Sequence, residues 1–496
     1  MTVISPLPVI GIVASGLAGL LTAIWGNNTR LRNTFGTVGS VIAFASVAAM
    51  IPGALQGKIY SITLLKLFSG ASISFRADSL GLLFATVSSF MWVIVNIYTI
   101  GYMGHEEHKH RFFSFFAMAI FSALGIALSA NLINFFIFFE LLTLSTYPLV
   151  VHAGTEEAYK AGIKYLIYTL TAGGFLLAAI VITYFLAGSL SLAEAGLLNN
   201  ASGASPLLLR TLFIFYIIGV GVKAGIMPMH HWLPSAMVAP TPVSTLLHAV
   251  AVVKAGAFGV LRVVLSIYGI DLMSKLGLGI TLMVIASFTI VVASIIAIKQ
   301  DHLKRRLAYS TIGQLSYIVF GAALLTPAGI LAAMIHIANH AVTKGTLFMC
   351  AGIITHETGK TNISQLDGIA KRLPITMGAF SVACLGMIGV PPLAGFVSKW
   401  YLGIGVAQSQ RPFFVSILLV SSILNAAYFL PIVWRAYFKQ PEEKIKKEER
   451  ESVITMLGPI TATASCSFLL GLFATSPGLP ISIAKNAVAF FTGGRI

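Results

Sequence analysis

Eight ionisable residues interrupt runs that are otherwise apolar: Glu140, Lys223, His248, Lys254, His336, His340, Lys344 and Lys399. Glu140 sits in "NLINFFIFFELLTLSTYPLVV" and Lys223 in "GVKAGIMPMHHWLP", directly after "TLFIFYIIGV". A lysine at the centre of a bilayer costs at least about 2.5–3.5 kcal/mol on insertion scales, so such residues are kept only for a purpose. Carboxylates, amines and imidazoles in a dry interior can bind and release protons, because burial and neighbouring charges together set their ionisation. His336, His340 and Lys344 recur every four residues in "MIHIANHAVTKGTLFMC" and share one helical face. At about 6 Å per step, that ladder passes a proton only through intervening water. His248 lies six residues before Lys254, on a different part of the same helix, and its claim is weaker. Arg262, eight residues beyond Lys254, can snorkel to an interface, whereas Lys254 lies about 12 Å deeper. Lys223 and Lys399 have snorkelling or interface anchoring as their ordinary explanation.

These residues need spans to hold them, and the composition supplies spans. The chain has 496 residues, 57% hydrophobic and 10% charged, which is the polytopic membrane class. A window of about 20 residues marks about 14 spans. They lie near 6–25, 36–55, 79–103, 111–129, 131–151, 162–187, 209–238, 241–268, 276–298, 305–325, 328–355, 374–403, 412–438 and 454–475. The first run lacks a basic flank and a cleavage site and is read as a retained span. Residues 56–78 alternate in part and suggest a surface hairpin. Residues 440–452 read as a solvated charged connection, and 477–496 as a short surface segment.

Of the 32 lysines and arginines, 19 fall on loops after spans 1, 3, 5, 9, 11 and 13, and nine on the opposite side. That bias places both termini outside the cytoplasm, in a cell membrane. The net charge of +16 is therefore a topology signal, and nucleic acid is excluded as a partner. Cys350, Cys384 and Cys466 show no haem or iron–sulfur spacing and read as small core residues. No nucleophile elbow or phosphate loop occurs. His336 and His340 lack a third metal ligand, and Lys344 would repel a cation.

Two spans are interrupted by proline. Span 7 carries Lys223 before Pro228, and span 12 carries Pro391 and Pro392 before Lys399. The offset of five spans gives the second copy the opposite orientation, and paired broken helices in inverted repeats point to an ion site at mid-membrane.

Four stretches, "FFELLTLSTYPLV", "GVKAGIMPMHHWLPSAMVAPTPVSTLLHAVAVVKAG", "HIANHAVTKGTLFMCAGII" and "GVPPLAGFVSKW", together resemble the antiporter-like subunits of respiratory complex I, membrane-bound hydrogenases and Mrp-type cation/proton antiporters. The length resembles the short Mrp type, which ends soon after the last span. The resemblance implies an all-α membrane protein of 14 helices with two inverted five-helix repeats, each containing a broken helix. The units would be 1–110, 111–268 (first repeat), 269–438 (second repeat) and 439–496. Glu140 and Lys223 would then be the charged pair of one half-channel and Lys254 the central relay. His336, His340 and Lys344 would continue the path to a terminal Lys399. No cofactor is expected in this chain; iron–sulfur or other redox cofactors would sit in partner subunits of a redox-driven complex. Expected partners are other membrane subunits, related antiporter-like chains among them, with peripheral redox subunits where the complex is redox-driven. Protons are the expected cargo, with Na+ transport in some relatives. The sequence leaves a redox-driven complex, an Mrp-type antiporter and a purely structural subunit open.

Overall fold

The computed structural model describes residues 1–68, 71–201, 203–441 and 451–494. Apolar runs of this length close all their backbone hydrogen bonds only as helices. Eleven helices among the described residues are long and apolar enough to cross a membrane. The chain begins with α1 (Leu7–Trp25), α2 (Thr29–Ala48), α3 (Ser79–Tyr102), α4 (Lys109–Ala127), α5 (Leu132–Val150) and α6 (Glu156–Ala187). It continues with α7 (Pro206–Ala224), a long composite helix α8 (Thr241–Lys275) and α9 (Leu278–Lys299). Then come α10 (Leu303–Ala323), α11 (Pro327–Thr358), α12 (Pro374–Ile388), α13 (Ala394–Gln408), α14 (Phe413–Phe438), α15 (Ile454–Leu472) and α16 (Pro480–Phe491).

The second helix starts earlier than expected from hydropathy, at Thr29 rather than 36. The Asn28 side chain caps it by accepting from the Arg30 and Leu31 amides. Arg32, expected in a loop, is buried with its guanidinium on the Gly26 carbonyl and over the Phe113 ring. Likewise α6 begins at Glu156 rather than 162, capped by Thr155. The hairpin expected at 56–78 is present as β2 (Ile59–Phe68) and β3 (Ala71–Ala77), paired antiparallel with Tyr60 opposite Ala77. The N-terminal strand β1 (Thr2–Ile4) joins it in parallel, an edge that the sequence did not announce. Of the charged connection at 440–452, residues 442–450 lie outside the described residues. The expected terminal surface segment contains α16, which buries Ile481, Ala484 and Val488 and ties Asn486 to the Ala54 carbonyl at 3.1 Å.

Two helices form the centre. Every residue from Ala328 to Ile354 of α11 is buried, and so is the most apolar stretch of α8. The path of α8 includes two π-helical stretches, Leu246–Val250 and Val263–Tyr268. The Val250 carbonyl accepts from Ser88 of α3 at 3.2 Å. Both expected breaks are present and are built alike. After α7, Gly225 turns left-handed at φ +70°, with the Ile226 amide on Gly221 O at 3.1 Å. After α12, Gly389 does so at φ +96°, with the Val390 amide on Leu385 O at 3.0 Å. In each case a left-handed glycine closes the helix end, and Pro228 or Pro392 follows three residues later.

The close approach of α8 to the end of α7 depends on Gly256, where a Cβ would lie 2.2 Å from the Ala224 nitrogen and 2.5 Å from the Lys223 carbonyl carbon. Gly256→Ala should therefore force the two backbones apart and destabilise the bundle by about 1–3 kcal/mol. The thermal unfolding midpoint in detergent should fall; an unchanged midpoint would show that the two helices separate freely.

Candidate functional site

The eight ionisable residues fall on α5, α7, α8, α11 and α13. Lys223, in the last turn of α7, is 1% exposed. Its ammonium donates to the Phe139 carbonyl and lies 3.5 Å from the centre of the Phe139 ring. Glu140, the next residue, faces α6 instead, where a Cβ on Gly173 would lie 2.7 Å from its Oε1. That Oε1 is buried without a hydrogen-bond partner. No ion pair among the described residues joins Glu140 to Lys223, so the expected charged pair is not closed directly; the amine rests on the carbonyl beside the carboxylate.

Lys254 of α8 is fully buried, and its ammonium contacts Nδ1 of His340 on α11. This contact links α8 to α11. The His340 and His336 rings stack at 5.8 Å and 17°. His336 bonds Ser398 of α13 at 2.7 Å and Gln314 of α10 at 3.1 Å. Lys399, next to Ser398, donates to the Ile388 carbonyl at 2.7 Å, one of those left free at the end of α12, and reaches Ser422 at 3.5 Å. Lys344 turns toward α10, bonding the Leu307 carbonyl at 3.1 Å and Ser310. His248 is also fully buried; its ring packs 4.6 Å from Phe348, and neither nitrogen has a partner.

A cavity of about 620 Å³ opens on the face that carries the 103–111 and 151–159 connections, between Tyr102, Glu106, His108, His152, Pro240 and Lys304. Burial, with Arg111 and His108 close by, pushes His152 down to about 4, so this imidazole is neutral at ordinary pH. Lys304 bonds the Ala239 carbonyl at 2.9 Å, and Tyr102 reaches Thr241 at 3.5 Å. From Thr241 the same side of α8 carries Ser244 and then His248. The Ser244 hydroxyl is also buried without a partner. Buried polar atoms of this kind call for water.

Sequence reasoning missed the α10 side chains. Ser310, Gln314 and Tyr317 are spaced by four and three, a helical face that was legible but carries no charge. Tyr317 bonds Ser421 of α14 at 2.5 Å, and Tyr428 bonds Asn425 at 2.5 Å beside it. Arg262 was expected to be able to snorkel. It is instead 2% exposed and paired with Asp78 through two bonds of 2.7 and 2.8 Å, because the N-terminus of α3 supplies a carboxylate there.

Residues 129–425 match the family described as NADH:quinone oxidoreductase/Mrp antiporter, TM, and residues 69–113 match NADH-Ubiquinone oxidoreductase (complex I), chain 5 N-terminus. NADH-quinone oxidoreductase subunit N of Desulforudis audaxviator is 35% identical over 382 residues, 74% of this chain and 75% of that protein. A putative antiporter subunit mnhA2 of Staphylococcus haemolyticus is 30% identical over 88% of this chain, which spans only 57% of that longer protein. Among solved structures, a chain of the membrane-bound sulfane sulfur reductase, an archaeal respiratory membrane complex, superposes with a TM-score of 0.85 at 22% identity, over 99% of each chain.

His340→Ala should leave the Lys254 ammonium buried without its partner, a loss of about 1–3 kcal/mol. His356→Ala, at a half-exposed position beside Glu357, should be close to neutral. Detergent melting midpoints of the two variants check this, and equal midpoints would mean that Lys254 finds another partner readily.

Proposed function

Because this chain belongs to the NADH:quinone oxidoreductase/Mrp antiporter family of membrane subunits, we propose that it carries protons through a multisubunit membrane complex along its buried Glu, Lys and His axis. The observation that carries this reading is the Lys254–His340 contact. It links the α5–α8 half, with Glu140 and Lys223, to the α10–α13 half, with His336 and Lys399. Both partners can gain and lose a proton, and Ser398 and Gln314 lead onward from His336. In this reading the 620 Å³ cavity is the cytoplasmic inlet and loads His248 by way of Tyr102, Thr241 and Ser244. Lys344 tunes the ladder electrostatically, and Lys399 delivers toward the opposite side. Glu140 and Lys223 act as a switch, since a small swing of either side chain makes or breaks their contact.

The same reading puts the sheet and both termini on the non-cytoplasmic face of the cell membrane. It counts α10, α11 and the broken pair α12–α13 as spans beside the eleven apolar helices, which makes 14. The repeats are then 111–268 and 269–438, with the breaks at Pro228 and at Pro391–Pro392 as equivalent points; the alike glycine-closed helix ends support this. Redox cofactors belong to partner subunits, and the complex is redox-driven. A gradient-driven antiporter is the second reading, favoured by the 88% of this chain that aligns with the putative antiporter subunit. In either complex the row of lysines opposes a bound metal cation, so the proton is the cargo of this chain and Na+ passes elsewhere.

Lys254→Met keeps the length and removes the titratable group; the complex should assemble and lose coupled transport in vesicles. Lys254→Arg should also fail, because a guanidinium does not release its proton at ordinary pH. Full transport by the arginine variant would show that fixed charge suffices there, and full transport by the methionine variant would leave the residue structural. Glu140→Gln should likewise stop coupled movement while preserving assembly, and normal pumping by the assembled variant would remove the switch.

A further inference from the structure

Above Lys254 on α8, toward the sheet face, the chain changes character. Phe258 comes one turn later, its ring tilted against Phe84 of α3 at 5.0 Å and stacked on Phe135 of α5 at 6.4 Å. Arg262 follows after another turn, its guanidinium 5.0 Å from the centre of the Phe258 ring. It is held by both oxygens of Asp78, and Asp78 also accepts from the Gly81 amide at 2.7 Å as the cap of α3. Gly81 makes room for this: a Cβ there would lie 3.2 Å from an Arg262 terminal nitrogen. On the far side of Asp78 lies a cavity of about 150 Å³ among Lys58, Arg76, Asn486 and Phe490. Asp78 is 18% exposed and borders that cavity, whereas Arg262 beneath it is 2% exposed.

We propose that the Asp78–Arg262 pair and the Phe84–Phe135–Phe258 layer below it form a proton-tight seal, closing the first half of the bundle toward the sheet face. A path open to both sides at once would dissipate the gradient it serves. The residues at this point suit a barrier as clearly as Lys254 and His340 suit a relay. A guanidinium holds its proton throughout the working range and so cannot pass one on. The two-bond geometry holds both terminal nitrogens of Arg262 on both oxygens of Asp78, which fixes the pair in place across the opening. The aromatic layer then keeps water reaching Asp78 from continuing to Lys254. Asp78 and Arg262 are thus positioning residues of the barrier and touch no cargo.

This inference rests on the proton path proposed above, and a passive measurement separates the two. The whole complex, purified through an affinity tag on this chain, is reconstituted in liposomes containing a pH-sensitive dye. A potassium diffusion potential drives proton influx, with no redox substrate or sodium gradient present. Asp78→Asn should raise passive influx about tenfold, the change that a barrier lowered by about 1.4 kcal/mol gives. Adding Lys254→Met to Asp78→Asn should return influx to the unmodified level. Unchanged influx in the assembled Asp78→Asn complex would overturn the seal, and so would a leak that persists in the double variant. If Asp78→Asn does not assemble, Phe258→Ala decides by the same two outcomes, because it opens the aromatic layer and leaves the ion pair in place. Loss of the path itself shows separately, as normal coupled transport by Lys254→Met alone.

Discussion

A charged amine inside a water-poor bundle must be met by oriented dipoles or opposite charge, since its hydration cannot be brought along. Four lysines of the interior, Lys399 half-buried and Lys223, Lys254 and Lys344 buried, meet that demand in two ways. Lys223, Lys344 and Lys399 each donate to a backbone carbonyl, those of Phe139, Leu307 and Ile388. Lys254 contacts a side chain instead, the imidazole of His340. A carbonyl accepts a hydrogen bond but takes no proton, whereas an imidazole nitrogen can do either. Lys254 is therefore the one lysine of the four whose partner can itself take up a proton.

Much of the architecture follows from keeping these amines dry yet within reach of dipoles. The central helices α8 and α11 are surrounded on all sides, which excludes lipid from Lys254 and the histidines. Breaking α12 at Gly389 leaves the Ile388 carbonyl open, and Lys399 uses it. The π-helical stretch at Leu246–Val250 leaves the Val250 carbonyl to accept from Ser88, which ties α3 to the same region. Small residues at crossings, Gly256 against Ala224 and Gly173 against Glu140, let backbone and carboxylate approach where a side chain would hold them apart.

The sequence made the ionisable residues of the interior legible because a lysine in an apolar run stands out by its cost alone. Both helix breaks, the four-residue ladder and the hairpin at 56–78 were readable for similar reasons, as proline, period and alternation are local signals. The partners were not. Ser310, Gln314 and Tyr317 are uncharged and ordinary in a helix, and only the packing of α10 against α11 and α14 brings them to His336, Lys344 and Ser421. Asp78 and Arg262 lie 184 residues apart, so no window could join them. The same limit applied to Glu140. Its neighbourhood with Lys223 was legible, but whether the carboxylate points at the amine or at Gly173 depends on how α6 packs.

From one face to the other, the first half of the bundle is polar on one side of Lys254 and blocked on the other. Toward the basic connections lie the cavity and the polar groups of Thr241, Ser244 and His248. Toward the sheet lie three phenylalanines and a guanidinium locked to a carboxylate. In the second half, hydroxyl and amide groups cluster around His336 and Lys399. On the proposed proton path, the Lys254–His340 contact is where these two environments meet. In such an arrangement direction resides in the environment on either side of Lys254 and His340, and the side-chain movement needed at the junction itself is small.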